Sequence, residues 1–146
     1  MSYDIYVKHR KDGTTVSLRE KHQLRGGTYA VGGETEAHLN ITYNYAKWFY
    51  KLWPSGDGKA ADAKTATPFE QMYANNAGGI RSLYGKPLDE VIAELGRAIS
   101  KLKGDRDQDY WKKTEGNARA ALFDLKCVCE FARFENPDAD LTIDGD

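Results

Sequence analysis

Residues 36–43 read Glu-Ala-His-Leu-Asn-Ile-Thr-Tyr, and this stretch decides the fold. Its side chains alternate with a period of two, with Leu39, Ile41 and Tyr43 on one face and His38, Asn40 and Thr42 on the other. A period of two is typical of a half-buried β-strand. The sequence therefore predicts a sheet with one face on the core and a second face that is polar but uncharged along this strand.

Further strands are predicted near both ends of the chain. Tyr3, Ile5 and Val7 alternate with polar residues, and the Lys-Asp-Gly sequence of residues 11–13 is typical of a turn. Residues 15–18 are expected to return as the second strand of a hairpin. Residues 141–143, Leu-Thr-Ile, are expected to add an edge strand.

Helical patterns follow the strands. A short aromatic helix is expected at residues 45–53 with Asn44 as its N-cap, and a longer one begins at Pro87 and ends at Gly104. Along the longer helix one side is apolar, at Leu88, Val91, Ile92, Leu95, Ile99 and Leu102. Thr114 is expected to cap the last helix, residues 115–134. Strands followed by helices indicate the α+β class. We expect one domain, residues 1–146, with a small antiparallel sheet from the N-terminal half packed on two or three C-terminal helices, and a flexible loop at about 55–67.

Composition excludes several classes of protein. The net charge of −1 gives no basic field for nucleic acid, and no apolar run reaches the roughly 18 residues that a membrane span needs. Cys127 and Cys129 point in different directions on a helix, so they are expected to be reduced thiols in a bacterial cytoplasm. Six basic residues against three acidic ones in 1–27, and one against six in 130–146, predict that the two ends neutralise each other.

The first candidate site is a glycine-rich segment. Arg25 precedes Gly26, Gly27, Thr28 and Tyr29. Adjacent glycines allow a close approach of main-chain N–H groups to an anion, and a guanidinium binds phosphate or carboxylate in a fork. A tight turn with a surface arginine explains the same residues equally simply.

Uncharged polar residues form the second candidate. Asparagine is rare in strands, so Asn40 and Thr42, followed by Asn44, are candidates to read the polar edge of a ligand. The alternative is that these side chains bond to nearby main chain where the strand meets the helix.

Two further segments complete the candidate ligand site. Arg81 and Tyr84 stand between turn glycines, and Trp111 precedes a helix start at Thr114 and Asn117. A helix N-terminus attracts anions, and the indole can stack on a flat group. In each case an ordinary cap or a partly buried aromatic is the competing interpretation. No catalytic motif is present, so we assign no catalytic residue, no metal and no cofactor.

Four segments carry a resemblance. They are His22-Gln23-Leu24-Arg25-Gly26-Gly27-Thr28-Tyr29, the run from Thr35 to Tyr45, Gly79-Ile80-Arg81-Ser82-Leu83-Tyr84-Gly85, and Asp109-Tyr110-Trp111 through Asn117-Ala118. Together these segments are similar to a family of small proteins of bacteriophages and bacteria. The resemblance implies a phage context and brings no activity or mechanism with it.

The leading functional prediction is a protein that binds and sequesters an anionic, nucleotide-like small molecule, a role that the phage context extends to counter-defence. One alternative is an inhibitor or adaptor that binds a host protein through exposed aromatic residues. The second is a small hydrolase or transferase of nucleotide derivatives. The expected partners are therefore an anionic small molecule or a host protein, with neither nucleic acid nor membrane, and a homo-oligomer is compatible with the sequence.

Overall fold

The computed structural model describes residues 2–19, 28–29, 36–54 and 78–146, with only the main chain of residues 28 and 29. Within these ranges the strands are β1 (Ser2–His9), β2 (Thr28–Tyr29), β3 (His38–Thr42) and β4 (Leu141–Gly145). They form an antiparallel sheet in the order β2-β3-β1-β4. The helices described are α1 (Ala46–Leu52), α2 (Leu88–Lys101) and α3 (Glu115–Glu135), with 3-10 turns at Tyr43–Tyr45 and Gly79–Leu83. The predicted α+β class is confirmed.

The core lies between one face of the sheet and the helices. Alternate residues of β1 and β3 point into it, because successive side chains of a strand face opposite ways. The buried strand residues are Tyr3, Ile5, Val7, Leu39 and Ile41. Leu88, Val91 and Leu95 of α2 meet Ala121, Leu122 and Leu125 of α3 in the same core, as their apolar periodicity predicts.

The two ends of the chain are neighbours in the sheet. The central strand β1 pairs with β4, and Val7 lies opposite Ile143. Lys8 forms an ion pair with Asp144 at 3.6 Å, and Arg10 forms one with Asp140 at 3.2 Å. The expected neutralisation of the basic N-terminal and acidic C-terminal segments is thus found at these two pairs.

The predicted hairpin is wrong in its second strand. Residues 15–18 form no continuous strand, and make only isolated bridges from Thr15 to Lys8 and from Ser17 to Glu36. The main-chain N–H of Val16 donates to Val7, and the main-chain oxygen of Val16 accepts from Ala37. Val16 therefore lies between Val7 of β1 and Ala37, just before β3 begins. From His38 onward, β3 pairs directly with the first part of β1.

Helix boundaries follow the predicted signals except at α1. The hydroxyl of Thr42 accepts from the N–H of Asn44 and begins the 3-10 turn, so Thr42 and not Asn44 is the cap. Thr114 accepts from the N–H of Asn117 at the start of α3, as predicted. The single-domain prediction stays a prediction, and the predicted loop at 55–67 lies outside the described residues.

Candidate functional site

The face of the sheet that points away from the helices is polar across three strands. Strand register brings Asp4 opposite Asn40, Tyr6 opposite His38 and opposite Asp144, and Lys8 opposite Thr142. We call this surface the polar face: Ser2, Asp4, Tyr6 and Lys8 of β1, His38, Asn40 and Thr42 of β3, and Thr142 and Asp144 of β4. The polar side of β3 is placed as its alternation predicts.

A cluster of hydrogen-bonding groups lies at the β3 side of the polar face. Oδ1 of Asp4 lies 3.1 Å from Nε2 of His38 and accepts from Nδ2 of Asn40 at 2.8 Å. The same amide nitrogen donates to Oγ of Ser2 at 2.7 Å. The ring of Tyr6 stacks on the His38 imidazole with centroids 4.3 Å apart. His38 is only 6% exposed, so this cluster is held rigidly in one arrangement.

A cleft of about 330 Å³ opens at the other side of the polar face. Its volume falls at the lower end of the range typical of small-molecule sites. Three consecutive residues of β1 and its turn, Lys8, His9 and Arg10, line one wall. Tyr84 and Gly85 line the opposite wall, because the N–H of Gly85 donates to the main-chain oxygen of Ile143 at the free edge of β4. We call this concavity the β4 cleft.

Positive charge predominates in the lining of the β4 cleft. Lys8 and Arg10 carry two positive charges, and Asp144 is the one carboxylate among its lining residues. The Asp144 and Asp140 partners of the two cations lie at the surface, where an ion pair contributes about 0–1 kcal/mol. A phosphate offers more charge and more acceptors than either carboxylate. An external phosphate can therefore compete with the carboxylates of Asp144 and Asp140 for these two cations.

Two hydroxyl groups add hydrogen-bonding capacity to the β4 cleft. Thr142 is 6% exposed, and its hydroxyl donates to the main-chain oxygen of Ile143 at 3.2 Å. The Tyr84 hydroxyl donates to the main-chain oxygen of Asp146 at 3.4 Å. Burial raises the pKa of Tyr84 well above its usual value, so the phenol stays protonated at neutral pH. Both groups remain neutral beside a bound anion.

The glycine-rich candidate falls mostly outside the described residues. Arg25, Gly26 and Gly27 are not described. The main chain of Thr28 and Tyr29 forms β2, opposite Ile41 and Asn40 of β3. Arg25 thus stays a prediction, while the segment that follows it runs along one edge of the sheet.

Asn44, Trp111, Thr114 and Asn117 come together, but they bond mainly to the protein itself. Nδ2 of Asn44 donates to the main-chain oxygen of Trp111 at 2.7 Å. Asn117 is 2% exposed; its Nδ2 donates to the main-chain oxygens of Asp109 and Lys112, and its Oδ1 accepts from the N–H of Asp107. Asn117 has used both amide protons and its oxygen to hold the loop before α3, and the Trp111 ring remains exposed.

Arg81 lies in a third place. Its guanidinium packs on the rings of Tyr3 and Tyr43, donates to the Tyr43 hydroxyl at 3.0 Å, and donates through Nε to the main-chain oxygen of Asp146 at 3.0 Å. Tyr84 bonds to the same oxygen. The described candidates therefore do not share one site: Asn40 lies in the His38 cluster, Thr42 caps the 3-10 turn, and Tyr84 lines the β4 cleft. The main chain of Thr28 and Tyr29 lies in β2, Asn44 and Asn117 lie at the loop before α3 with Trp111 and Thr114, and Arg81 lies between the tyrosines.

Sequence reasoning missed Lys8, His9, Arg10 and Thr142 as candidates for a ligand site. The signal was present in the consecutive residues Lys8-His9-Arg10-Lys11, which were counted only as part of the N-terminal charge excess. The position of Thr142 depends on the pairing of β4 with β1, a contact more than 130 residues apart in sequence.

Comparison with known proteins gives no match to a family model, to a curated protein or to a solved structure. The resemblance to phage and bacterial proteins thus stays a prediction. Among the described residues, none of the helices combines the length and the apolar character that crossing a membrane requires.

Proposed function

We propose that this protein binds an anionic, nucleotide-like small molecule and that the β4 cleft receives its phosphate. The observation that carries the proposal is the meeting of Lys8 and Arg10 with Tyr84 in one concavity of suitable volume. In this arrangement the two cations neutralise the phosphate. On binding, the Thr142 hydroxyl and the protonated Tyr84 phenol would turn from the main-chain oxygens of Ile143 and Asp146 and donate to the phosphate instead.

The rest of the polar face supports a ligand larger than phosphate. Alternate residues of a strand lie about 6.6 Å apart, so Asp4 and Lys8 are separated by about 13 Å along β1. Between them lies the Tyr6 ring, with Nζ of Lys8 5.7 Å from its centre. A nucleotide bound by its phosphate at Lys8 would extend its base past Tyr6 toward Asn40 and the Asp4 carboxylate, which is 41% exposed, and the oxygen atoms of these two side chains can accept hydrogen bonds from a base edge.

The test is a binding screen of the purified protein with inorganic phosphate, nucleoside monophosphates, and cyclic mono- and dinucleotides. A ligand that binds only the native state raises the melting temperature, with a stabilisation of about 2.7 kcal/mol at a hundredfold excess over Kd. The affinity should fall with rising ionic strength because the contact is charged. Calorimetry then measures the Kd of each ligand that raises the melting temperature.

Charge variants make the test specific. Lys8→Gln should weaken binding at least about tenfold, whereas Asp144→Asn should strengthen it because Lys8 loses its internal partner. Lys101→Gln, at an exposed position at the end of α2, is the matched control and should leave the affinity unchanged. The proposal fails if no member of the panel binds, or if binding is indifferent to both Lys8→Gln and Asp144→Asn.

The alternative of an enzyme acting on nucleotide derivatives is favoured by one contact. His38 and Asp4 form a carboxylate–imidazole pair, an arrangement that serves in acid–base catalysis on many folds. If the protein consumes a ligand that it binds, and if this activity is lost in His38→Ala and retained in Lys101→Gln, catalysis replaces sequestration as the proposed function.

The alternative of an inhibitor or adaptor that binds a host protein is favoured by exposed aromatic side chains. Phe123, Phe131 and Phe134 are exposed on α3. Aromatic anchors of this kind contribute much of the binding energy at protein interfaces. If the panel gives no ligand and a purified host protein binds the chain, with the complex lost in Phe131→Asp, this alternative replaces the first proposal.

A further inference from the structure

One side of α3 presents a line of exposed aromatic rings. Phe123, Phe131 and Phe134 keep 54%, 53% and 83% of their surface exposed. Phenylalanine is among the residues most often buried, so three exposed rings on one helix call for an explanation. The half-buried Cys127 lies between them. We call these four residues the α3 stripe.

The α3 stripe is a continuous line on the helix. Its members stand at positions i, i+4, i+8 and i+11, which fall on one side of an α-helix over about 16 Å. The opposite side of α3 carries the buried residues Leu122, Leu125 and Cys129. The helix is therefore apolar on two sides, and the described core covers only one of them.

We propose that the α3 stripe binds a second copy of this chain, with the two α3 helices antiparallel about a twofold axis close to Cys127. Residues equally distant from the axis in sequence meet across it. Phe123 and Phe131 are four residues before and after Cys127, so each meets the other. Phe134 is seven residues after Cys127 and meets Ala120, seven residues before it, where a small side chain leaves room for the ring.

Charges on one border of the stripe favour the same arrangement. Nζ of Lys126 and Oε1 of Glu130 already form an ion pair within the helix. A twofold axis brings the same border of both helices together. Lys126 is one residue before Cys127 and Glu130 three after it, so Lys126 of one copy comes to nearly the same height as Glu130 of the other. Two lysines and two glutamates then alternate across the contact.

The area indicates a reversible dimer. A phenylalanine side chain buries about 150–250 Å², so the exposed fractions of the three rings amount to roughly 400 Å² per copy. A stable interface buries about 800 Å² per partner. The α3 stripe with Ala120 and the stem of Lys126 falls below that value. Self-association is therefore expected to be weak and reversible, and it does not depend on the β4 cleft.

Sedimentation velocity on the full chain, from low micromolar to several hundred micromolar, tests the proposal. The expected result is a monomer–dimer equilibrium. Phe131→Asp should weaken it more than about tenfold, as the loss of an aromatic anchor does. Trp111→Asp is the matched control, because Trp111 is 54% exposed outside the stripe and should leave dimerisation unchanged. Since Phe131 is half exposed, the variant should keep its fold, which circular dichroism checks.

A charge exchange tests the antiparallel register. Lys126→Glu should weaken the dimer by placing like charges opposite each other, and Lys126→Glu combined with Glu130→Lys should restore it. A short bis-maleimide should join two copies through Cys127 in the wild-type chain and not in Cys127→Ser, which retains the buried Cys129. A monomer at every concentration, a dimer indifferent to Phe131→Asp, or the absence of the Cys127 cross-link in a dimer would overturn the proposal.

Discussion

The guanidinium carbon of Arg81 lies 4.9 Å from the centre of the Tyr3 ring. Through this contact, and through its hydrogen bonds to Tyr43 and to the main chain of Asp146, the 3-10 turn Gly79–Leu83 is joined to β1 and to the residues that directly follow β3 and β4. An arginine that the sequence offered as a phosphate ligand therefore holds the fold together at this point. Its functional and structural roles can be separated by mutation.

Arg81→Ala is expected to lower the free energy of unfolding by about 2 kcal/mol, because it removes the cation–π contacts and two hydrogen bonds. Chemical denaturation at neutral pH measures the change. Arg97→Ala is the control: its exposed ion pair with Glu94 should contribute less than about 1 kcal/mol. Unchanged stability of Arg81→Ala together with lost anion affinity would instead make Arg81 a ligand contact, as the sequence had indicated.

Asn117→Ala is expected to destabilise the protein by about 3 kcal/mol, since it removes three hydrogen bonds that the buried Asn117 amide makes to the main chain of Asp107, Asp109 and Lys112. Asn44→Ala removes one hydrogen bond at a more exposed position and should cost about 1 kcal/mol. Urea denaturation of both variants gives the comparison. Equal effects of the two substitutions would show that burial of the Asn117 amide contributes little.

Gly116→Ala should prevent stable folding. A Cβ atom at Gly116 would lie 2.0 Å from the main-chain oxygen of Asp105, and the first turn of α3 cannot move without breaking its cap at Thr114. Gly96→Ala is the matched control, because a Cβ atom at Gly96 would have only the Cε atom of the Lys126 side chain near it, at 3.6 Å. Within α2 that change should stabilise by about 0.5–1 kcal/mol. Expression yield and thermal melting distinguish the two, and a Gly116→Ala variant as stable as wild type would contradict the close contact.

Stability should fall in alkali. Burial raises the pKa of Tyr3 to about 12 and raises that of Tyr84 further, from a value of about 10 in the unfolded chain. For an acid whose folded pKa is raised, the stabilisation is complete below the unfolded pKa and is lost as the pH rises through the folded one. The melting temperature should therefore decline above about pH 10. Tyr84→Phe should decline less steeply, and an identical pH profile for the two proteins would contradict this assignment.

Local patterns were sufficient to predict most elements of the fold. Alternation of Leu39 and Ile41 with polar neighbours placed β3, the apolar stripe beginning at Leu88 placed α2, and the hydroxyl of Thr114 placed the start of α3. Each signal acts over a few residues, through side-chain periodicity or a cap. Residues 15–18 were misassigned because their bonds go to both Val7 and Ala37, and no local pattern records such a shared pairing.

The candidate site depended far more on distant contacts. Asn117 was a candidate ligand contact because it carries a polar amide at a helix start, yet its neighbours in space use both the nitrogen and the oxygen of that amide. Lys8 and Thr142 were unremarkable in sequence, and the pairing of β1 with β4 places them in one cleft. Whether a polar side chain faces a ligand or its own main chain is a question of tertiary geometry.

The sequence by itself determined the class of fold, the alternation that makes one sheet face polar, and the amphipathic helices that cover the other, because these follow from periodicity along a short stretch of chain. Only the tertiary structure decided that His38 meets Asp4, that Arg81 packs between tyrosines, and that Lys8, Arg10 and Tyr84 share a cleft. The physical reason is that these contacts join strands and turns far apart in sequence, whose register is set by the burial of the whole sheet.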